Sequence, residues 1–171
     1  IEAAKRLYNM AQERNFELGN DKNFTQGRPT AHVIAAALYT ICRLEKTPHL
    51  LIDFSDILQI NLYVLGACYL KFVKHLHLDL PLVDPSLFIH RFCAKMEFGE
   101  KTHLVSVTAL RLLQRMKRDW MTYGRRPNSL CGSAILIAAR YHGFKRTTTQ
   151  IVNAVHTSDE TIRKRLDEFK K

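Results

Sequence analysis

An all-α protein built from two tandem helical units is what this sequence predicts, and three observations carry the prediction. Apolar residues recur at helical spacing along almost all of the 171-residue chain, and no stretch alternates as a half-buried strand would. The chain also repeats itself. Shifted by 97 positions without a gap, residues 27–74 fall under 124–171, with Gly27/Gly124, Arg28/Arg125, Ala37/Ala134, Arg43/Arg140 and Phe72/Phe169 identical. The punctuation recurs in step with the apolar stripe: a Gly-Arg entry, an alanine-rich helix, a polar break, a short helix, then a longer one. The units are expected at 1–80 and 81–171.

In the first unit, residues 1 to about 18 predict an amphipathic helix, with Ala4, Leu7, Tyr8 and Ala11 on one face and Lys5, Gln12 and Glu13 elsewhere. Gly19 is expected to end it, and the polar run 20–26 to be a solvated loop. Thr30, after Arg28-Pro29, opens a helix whose face of Val33, Ile34, Ala37, Leu38 and Ile41 marks the buried centre of the unit. Thr47-Pro48 breaks it. Leu51, Phe54, Ile57 and Leu58 make a short helix, and Asn61 is a good N-cap for the next. That helix runs to about His77, with Leu62, Leu65, Cys68, Tyr69 and Phe72 inward and Lys71 and Lys74 on its outer edge. Residues 79–83, with a central proline, form a short linker.

Asp84-Pro85 signals the start of the second unit's first helix, which is expected to reach about Phe98 with Phe88, Phe92 and Met96 inward and Gly99 as its stop. The longest helix follows, from Thr102 to about Thr122. Val105, Ala109, Leu112, Leu113, Met116 and Trp120 supply its apolar side, while Arg111, Arg115 and Arg118 repeat at i, i+4 and i+7. Such a stripe can track phosphates or contact a partner, although a solvated face is the plainer reading. After Gly124-Arg125-Arg126-Pro127 comes the alanine-rich helix, ended by Gly143.

The end of the chain carries the most specific pattern. A short helix over 148–155 presents Ile151, Val152 and Val155 on one side. His156-Thr157 breaks it, and Ser158 caps the next, in which Ile162, Leu166 and Phe169 share a face while Glu160, Arg163, Lys164, Asp167 and Lys171 point outward. This is a helix-turn-helix pattern. Its second helix offers Arg163 and Lys164 near the N-terminal end, where such helices reach base edges. Arg125, Arg126, Lys145 and Arg146 lie at helix entrances suited to phosphate contact.

Charge points the same way. The chain carries a net +10, yet residues 1–80 hold 9 Lys+Arg against 8 Asp+Glu and residues 81–171 hold 17 against 8, leaving +1 and +9. Solubility alone gives no reason for that concentration; a polyanionic partner of the second unit does. Cys42, Cys68, Cys93 and Cys131 are far apart within apolar helical stretches, which predicts core thiols in a reducing compartment, without a zinc site or disulfides. Cys131 falls at the register of Ile34 on an inner face, and no paired carboxylate, triad or phosphate loop is present, so the chain is not expected to be an enzyme. The longest apolar run, Val33–Cys42, is too short to cross a bilayer. The chain opens inside a helical pattern without Met and is expected to be an excised piece of a longer protein.

Two helical repeats with these motifs resemble the cyclin-like core of the transcription factor IIB family, over essentially the whole chain. The carriers are Gly27-Arg28 with Ala35-Ala36-Ala37-Leu38-Tyr39, Arg91-Phe92-Cys93, Gly124-Arg125, Lys145-Arg146-Thr147 and Thr161-Ile162-Arg163. Within the family, the run from Arg111 to Met121 closing on Gly124-Arg125-Arg126-Pro127, together with Leu62-Tyr63-Val64-Leu65-Gly66, is most similar to the factor-IIB-related subunit of the RNA polymerase III initiation factor. The resemblance implies two tandem cyclin-like repeats of five helices each, the first lacking its first helix here. It implies that the core binds the TATA-binding protein on promoter DNA and helps recruit RNA polymerase III with other initiation factor subunits, in the nucleus, with a monomeric fragment. By that resemblance Arg163 falls on a family position that contacts DNA; Thr147 and Thr161, in the matching motifs, are candidate DNA-binding residues, and Arg28 is a candidate for phosphate or partner contact. No cofactor is implied for this stretch; zinc belongs to a ribbon that would precede it. Glu160 departs from the family's apolar base-contacting residue and is expected to close a capping box with Thr157. The rival readings are factor IIB proper and a kinase-activating cyclin, the latter giving no reason for a basic second unit.

Overall fold

The computed structural model describes residues 1–13 and 24–169. Among them there are nine α-helices and no strand: α1 (Glu2–Glu13), α2 (Thr30–Leu44), α3 (Leu51–Leu58), α4 (Leu62–His75), α5 (Ser86–Lys95), α6 (Thr102–Arg118), α7 (Pro127–Tyr141), α8 (Thr148–Val155) and α9 (Asp159–Glu168), with a 3-10 turn at Gly99–Lys101. The chain divides into two compact units, Ile1–Leu82 and Val83–Lys171.

The 97-residue period is written into the backbone. Left-handed residues occur in register at Gly27 (φ 73°) and Gly124 (67°), Lys46 (53°) and Gly143 (84°), and Gln59 (54°) and His156 (53°). Gly27 and Gly124 turn the chain three residues ahead of α2 and α7, and the other four follow helix C-termini, where a positive φ satisfies last-turn carbonyls. N-caps recur too. Asn61 Oδ1 accepts the Tyr63 N–H at 2.9 Å and Ser158 Oγ accepts the Thr161 N–H at 3.4 Å. At the preceding helix, Asp53 accepts the Leu50 N–H (2.8 Å) as Gln150 accepts the Thr147 N–H (3.1 Å).

In the first unit α2 packs against α1, α3 and α4. The core joins Leu7 and Ala11 of α1 with Val33, Ala36 and Ala37 of α2 and Cys68, Tyr69 and Phe72 of α4. Small side chains at 35–37 let the helices approach closely. Thr40, fully buried, donates its hydroxyl to the Ala36 carbonyl at 2.7 Å and so leaves no orphan donor. In the second unit α7 is enclosed on most sides: Ser129 to Leu136, Ala138 and Ala139 are all buried, with α5, α6, α8 and α9 packed on it. The serine hydroxyls donate back to carbonyls one turn earlier, Ser129 to Arg126 (2.7 Å) and Ser133 to Leu130 (3.0 Å).

Several expectations are corrected. The foreseen continuation of the first helix past Glu13, its stop at Gly19 and most of the loop after it lie outside the described residues and are neither met nor corrected. Phe24, expected in solvated loop, is buried, with its ring edge-on to Phe72 at 5.6 Å between centroids. Ile34, expected on the inner face, is 44% exposed, whereas Cys131 at the same register is fully buried. The reason is α5, which packs across α7 and brings the Pro85 carbonyl to 3.1 Å from Cys131 Sγ; among the described residues the first unit has no helix in that place. Ile57 and Leu58 of the short helix are likewise exposed. α5 ends at Lys95, short of Phe98, although Asp84 caps it as expected by accepting the Ser86 N–H at 3.0 Å. α6 ends at Arg118, so Trp120, which a continued helix would turn inward one turn after Met116, is 72% exposed. Of the face Ile162, Leu166 and Phe169, only Ile162 is fully buried.

Candidate nucleic-acid interface

The helix-turn-helix is held against α7 by a close approach that glycine permits. A Cβ on Gly132 would lie 3.1 Å from Val155 Cγ2 and 3.2 Å from Ile162 Cδ1, so the α8–α9 corner seats its apolar side directly on the α7 backbone. Ile151, Val155 and Ile162 are fully buried there, and Asn128 Nδ2 donates to the Val155 carbonyl at 2.9 Å. Thr147 and Gln150 form a reciprocal capping box at the entry of α8. Thr147 thus spends its hydroxyl on the helix, and Thr161 shares a 2.6 Å hydroxyl contact with Ser158. Because Ser158 is the N-cap of α9, the box foreseen between Thr157 and Glu160 does not form.

The outward face of α9 is internally neutralised. Arg163 Nε meets Asp159 Oδ2 at 2.7 Å, and Lys164 Nζ meets Glu160 Oε1 at 2.8 Å, both at i,i+4. The hydrogen bond from Lys164, with its charge, holds the Glu160 carboxyl below the usual carboxylate range and raises the lysine in return. Both basic residues are exposed and within reach of a ligand, but each would bring a carboxylate with it.

The arginines at the helix entrances are occupied differently. Arg125 Nε donates to the Met121 carbonyl (2.8 Å), and its Nη1 pairs with Glu168 (2.8 Å), a carboxylate that also takes Arg165 at 2.8 Å. That clasp ties the end of α9 to the α6–α7 turn. Arg146 Nη2 donates to the carbonyls of Met96 (2.9 Å) and Glu97 (3.1 Å), with its guanidinium over the Phe98 ring. These acceptors lie just past the end of α5, where last-turn carbonyls lack helical donors, so Arg146 closes that helix end. In the first unit Arg28 donates to the Phe24 carbonyl and lies over its ring, while Lys71 and Lys74 are exposed.

The uncommitted positive charge lies elsewhere. Arg111, Arg115 and Arg118 of α6, Arg126 at the entry of α7 and Lys145 ahead of α8 are all exposed, and among the described residues none has a carboxylate partner. A shallow groove of about 500 Å³ between α7 and α9 is lined by Arg140 and the already paired Arg163 together with Asp167, with Thr148 and the half-buried Phe169 on its walls. Just past the end of α6, two residues after Arg118, Trp120 and Tyr123 stack on each other at 5.2 Å. Neither was singled out as a surface feature by its sequence; the signal was the αL turn that ends α6, which helical periodicity does not report.

Cys68, Cys93 and Cys131 are core thiols, whereas Cys42, expected with them, is only half-buried. Burial pushes Cys93 up to about 12 and raises Cys131 further, Asp84 adding to the latter. Among the described residues no cluster of His, Cys, Asp and Glu is placed to hold a metal, and no helix is long and apolar enough to cross a membrane.

The chain is similar to known proteins over its whole length. A family model described as the transcription factor TFIIB repeat matches residues 1–75 and again 78–171. The chain is 54% identical to the transcription factor IIIB 90 kDa subunit of Homo sapiens over 90% of this chain and 23% of that protein. It is 52% identical to the transcription factor IIIB 60 kDa subunit of Schizosaccharomyces pombe, over 94% of this chain and 32% of that one. With transcription initiation factor IIB of Pyrobaculum neutrophilum the identity is 30%, over all of this chain and 48% of that protein. The chain therefore spans a third or less of the length of the IIIB subunits it matches.

Proposed function

Since the chain belongs to the transcription factor IIB repeat family, we propose that it is the tandem-repeat core of a general initiation factor that binds the TATA-binding protein seated on promoter DNA and helps recruit RNA polymerase III. The observation that carries the choice within the family is the identity of about half to IIIB subunits, against 30% to a factor IIB. The work is done in the nucleus, without catalysis by this stretch.

The division of labour follows from charge. The second unit, with +9, faces DNA. Its contacts are led by the uncompensated cations Arg111, Arg115, Arg118, Arg126 and Lys145, which grip phosphates and fix orientation without reading sequence. Arg163 and Lys164 reach the major groove already paired, so strong base readout by α9 is not expected; shape readout of bent DNA supplies more of the preference. The nearly neutral first unit, with Ile57, Leu58 and Tyr63 exposed, is the protein-binding half.

A mobility shift with a polymerase III promoter duplex, with and without the TATA-binding protein, tests the reading. The chain alone binds weakly and salt-sensitively, and the partner raises its affinity. Equal binding in both arms would remove the composite surface from the proposal.

A further inference from the structure

We infer that the turn between α6 and α7 is a stacking site for unpaired bases of single-stranded nucleic acid, built from Trp120 and Tyr123 beside the arginine stripe of α6. This goes beyond duplex binding but rests on the second unit being the nucleic-acid-facing one.

The turn is a fixed structure. The Met121 N–H donates to the Met116 carbonyl (2.9 Å) and the Trp120 N–H to the Lys117 carbonyl (3.3 Å), the paired bonds that close a helix through a left-handed residue. That residue is Trp120, at φ 58°. Glycine is the ordinary occupant of such a position, and a bulky side chain there is an outlier worth a functional question. The other described non-glycine residues with positive φ are Lys46, Gln59, His77, Glu97 and His156, all polar; only here does the turn hold a large apolar ring up to solvent. Arg125, bonded to the Met121 carbonyl and to Glu168, braces the turn from behind.

The rings are arranged for stacking. Trp120 and Tyr123 lie 5.2 Å apart with 26° between their planes, each covering one face of the other, yet they remain 72% and 66% exposed. A self-stacked pair with open outer faces presents flat aromatic surface that costs hydration and gives the core nothing. It leaves a platform onto which another planar group can add. The charge beside it selects what that group is attached to. Around it Arg111, Arg115, Arg118 and Arg126 are exposed without a carboxylate partner among the described residues, whereas Lys117 and Arg125 are taken by Asp84 and Glu168. Arg111, Arg115 and Arg118 follow one exposed helix face for about 10 Å at 1.5 Å per residue, the run of a few nucleotides of backbone. A basic track leading to an aromatic platform is the combination by which unpaired bases are held without sequence preference, phosphates on the cations and bases on the rings. Duplex DNA offers the track its phosphates but hides its base faces, whereas a single strand presents a phosphate and an open base face in every nucleotide and so uses both halves.

Trp120 is the sole tryptophan of the chain, so its fluorescence reports this site alone. The 171-residue chain is titrated with a 15-mer of deoxythymidylate, with a 15-base-pair duplex, and with polyphosphate as a polyanion lacking bases. The single strand is expected to quench Trp120 saturably; duplex and polyphosphate bind with little quenching. Trp120→Ala, whose fold is checked by circular dichroism, is expected to weaken 15-mer binding measured by anisotropy by about five- to a hundredfold while changing duplex binding little, and Trp120→Phe to recover part of the loss. Tyr123→Ala should weaken the single strand in the same sense. Equal quenching by polyphosphate, or unchanged 15-mer affinity in Trp120→Ala, would overturn the stacking site while leaving duplex binding intact. Absence of binding to both duplex and single strand at low salt would instead overturn the nucleic-acid reading beneath it.

Discussion

The second halves of the two units, α3–α4 and α8–α9, share their backbone and differ in almost everything they show to solvent. The shared part is a set of local devices: the left-handed turn at Gln59 and His156, the cap at Asn61 and Ser158, and the carboxylate or amide that takes the Leu50 or Thr147 N–H. Beyond the cap the sequences part. Leu62, Tyr63 and Val64 open α4, with Tyr63 86% exposed, whereas Asp159, Glu160 and Thr161 open α9. One chain path is thus dressed once as an apolar surface and once as a charged one. Function on a repeated fold has to be read from what the surface presents, since the turns that hold it are common to both.

The comparison breaks most visibly at the two identical phenylalanines. Phe72 is fully buried, in edge contact with Phe24, while Phe169 is half-buried on the wall of a groove. Removing a fully buried aromatic costs about 3–5 kcal/mol. Phe72→Ala should therefore lose most of the stability of the first unit, and Phe169→Ala should cost the second unit much less. Urea unfolding of the two variants measures this; equal losses would mean that the register is shared but the difference in packing is not real.

A sharper contrast concerns Arg146, whose counterpart in the first unit is His49. The Arg146 guanidinium is bound to the carbonyls of Met96 and Glu97. Arg146→Ala should destabilise the second unit by about 1–3 kcal/mol, the cost of a lost charged hydrogen bond that strips partly buried acceptors of their donor. It should leave the slope of log affinity against log salt unchanged. Arg115→Ala should do the reverse, flattening that slope by about 1 with little effect on unfolding. A flattened slope with unaltered stability in Arg146→Ala would return that arginine to the phosphate-contacting set.

These outcomes follow where local sequence signals stop informing. The bounds of α8 and the caps Asn61 and Ser158 were legible because each depends on residues within one turn of itself. Ile34 was not, because its exposure depends on whether a helix far away in sequence covers it. Phe24 was hidden for the same reason, since a polar run disguised a residue that reaches Phe72. Arg146 stood in a basic pair with Lys145, but its partners lie some 50 residues away. Trp120 was misread because periodicity assumes a helix that continues, and α6 ends two residues earlier. For the candidate interface, the sequence located the basic half but not which of its cations were already spent.

The smallest effect is expected at Glu160, and it tests whether α9 reads DNA through charge at all. Tyr63 stands at this position in the first unit, so the carboxylate is a feature of the second unit alone. Lys164 hydrogen-bonds Glu160 and holds its carboxyl below the usual range. A depressed folded value means that the pair supports the helix above the unfolded carboxylate value, and that this support fades as pH falls through the depressed one. Binding to a polyanion should move the opposite way, because protonation there removes a negative charge and frees the lysine. Glu160→Gln should reproduce the low-pH condition at neutral pH, steepening the log-affinity against log-salt slope by less than about one unit as Lys164 becomes available to a phosphate. It should also reduce, without abolishing, the gain in affinity on acidification to the carboxylate range, since Asp159 beside Arg163 is still there to protonate. If Glu160→Gln instead weakens binding, the carboxylate is itself a contact, accepting a hydrogen bond from a base edge, and α9 discriminates sequence where its neutralised surface says it does not.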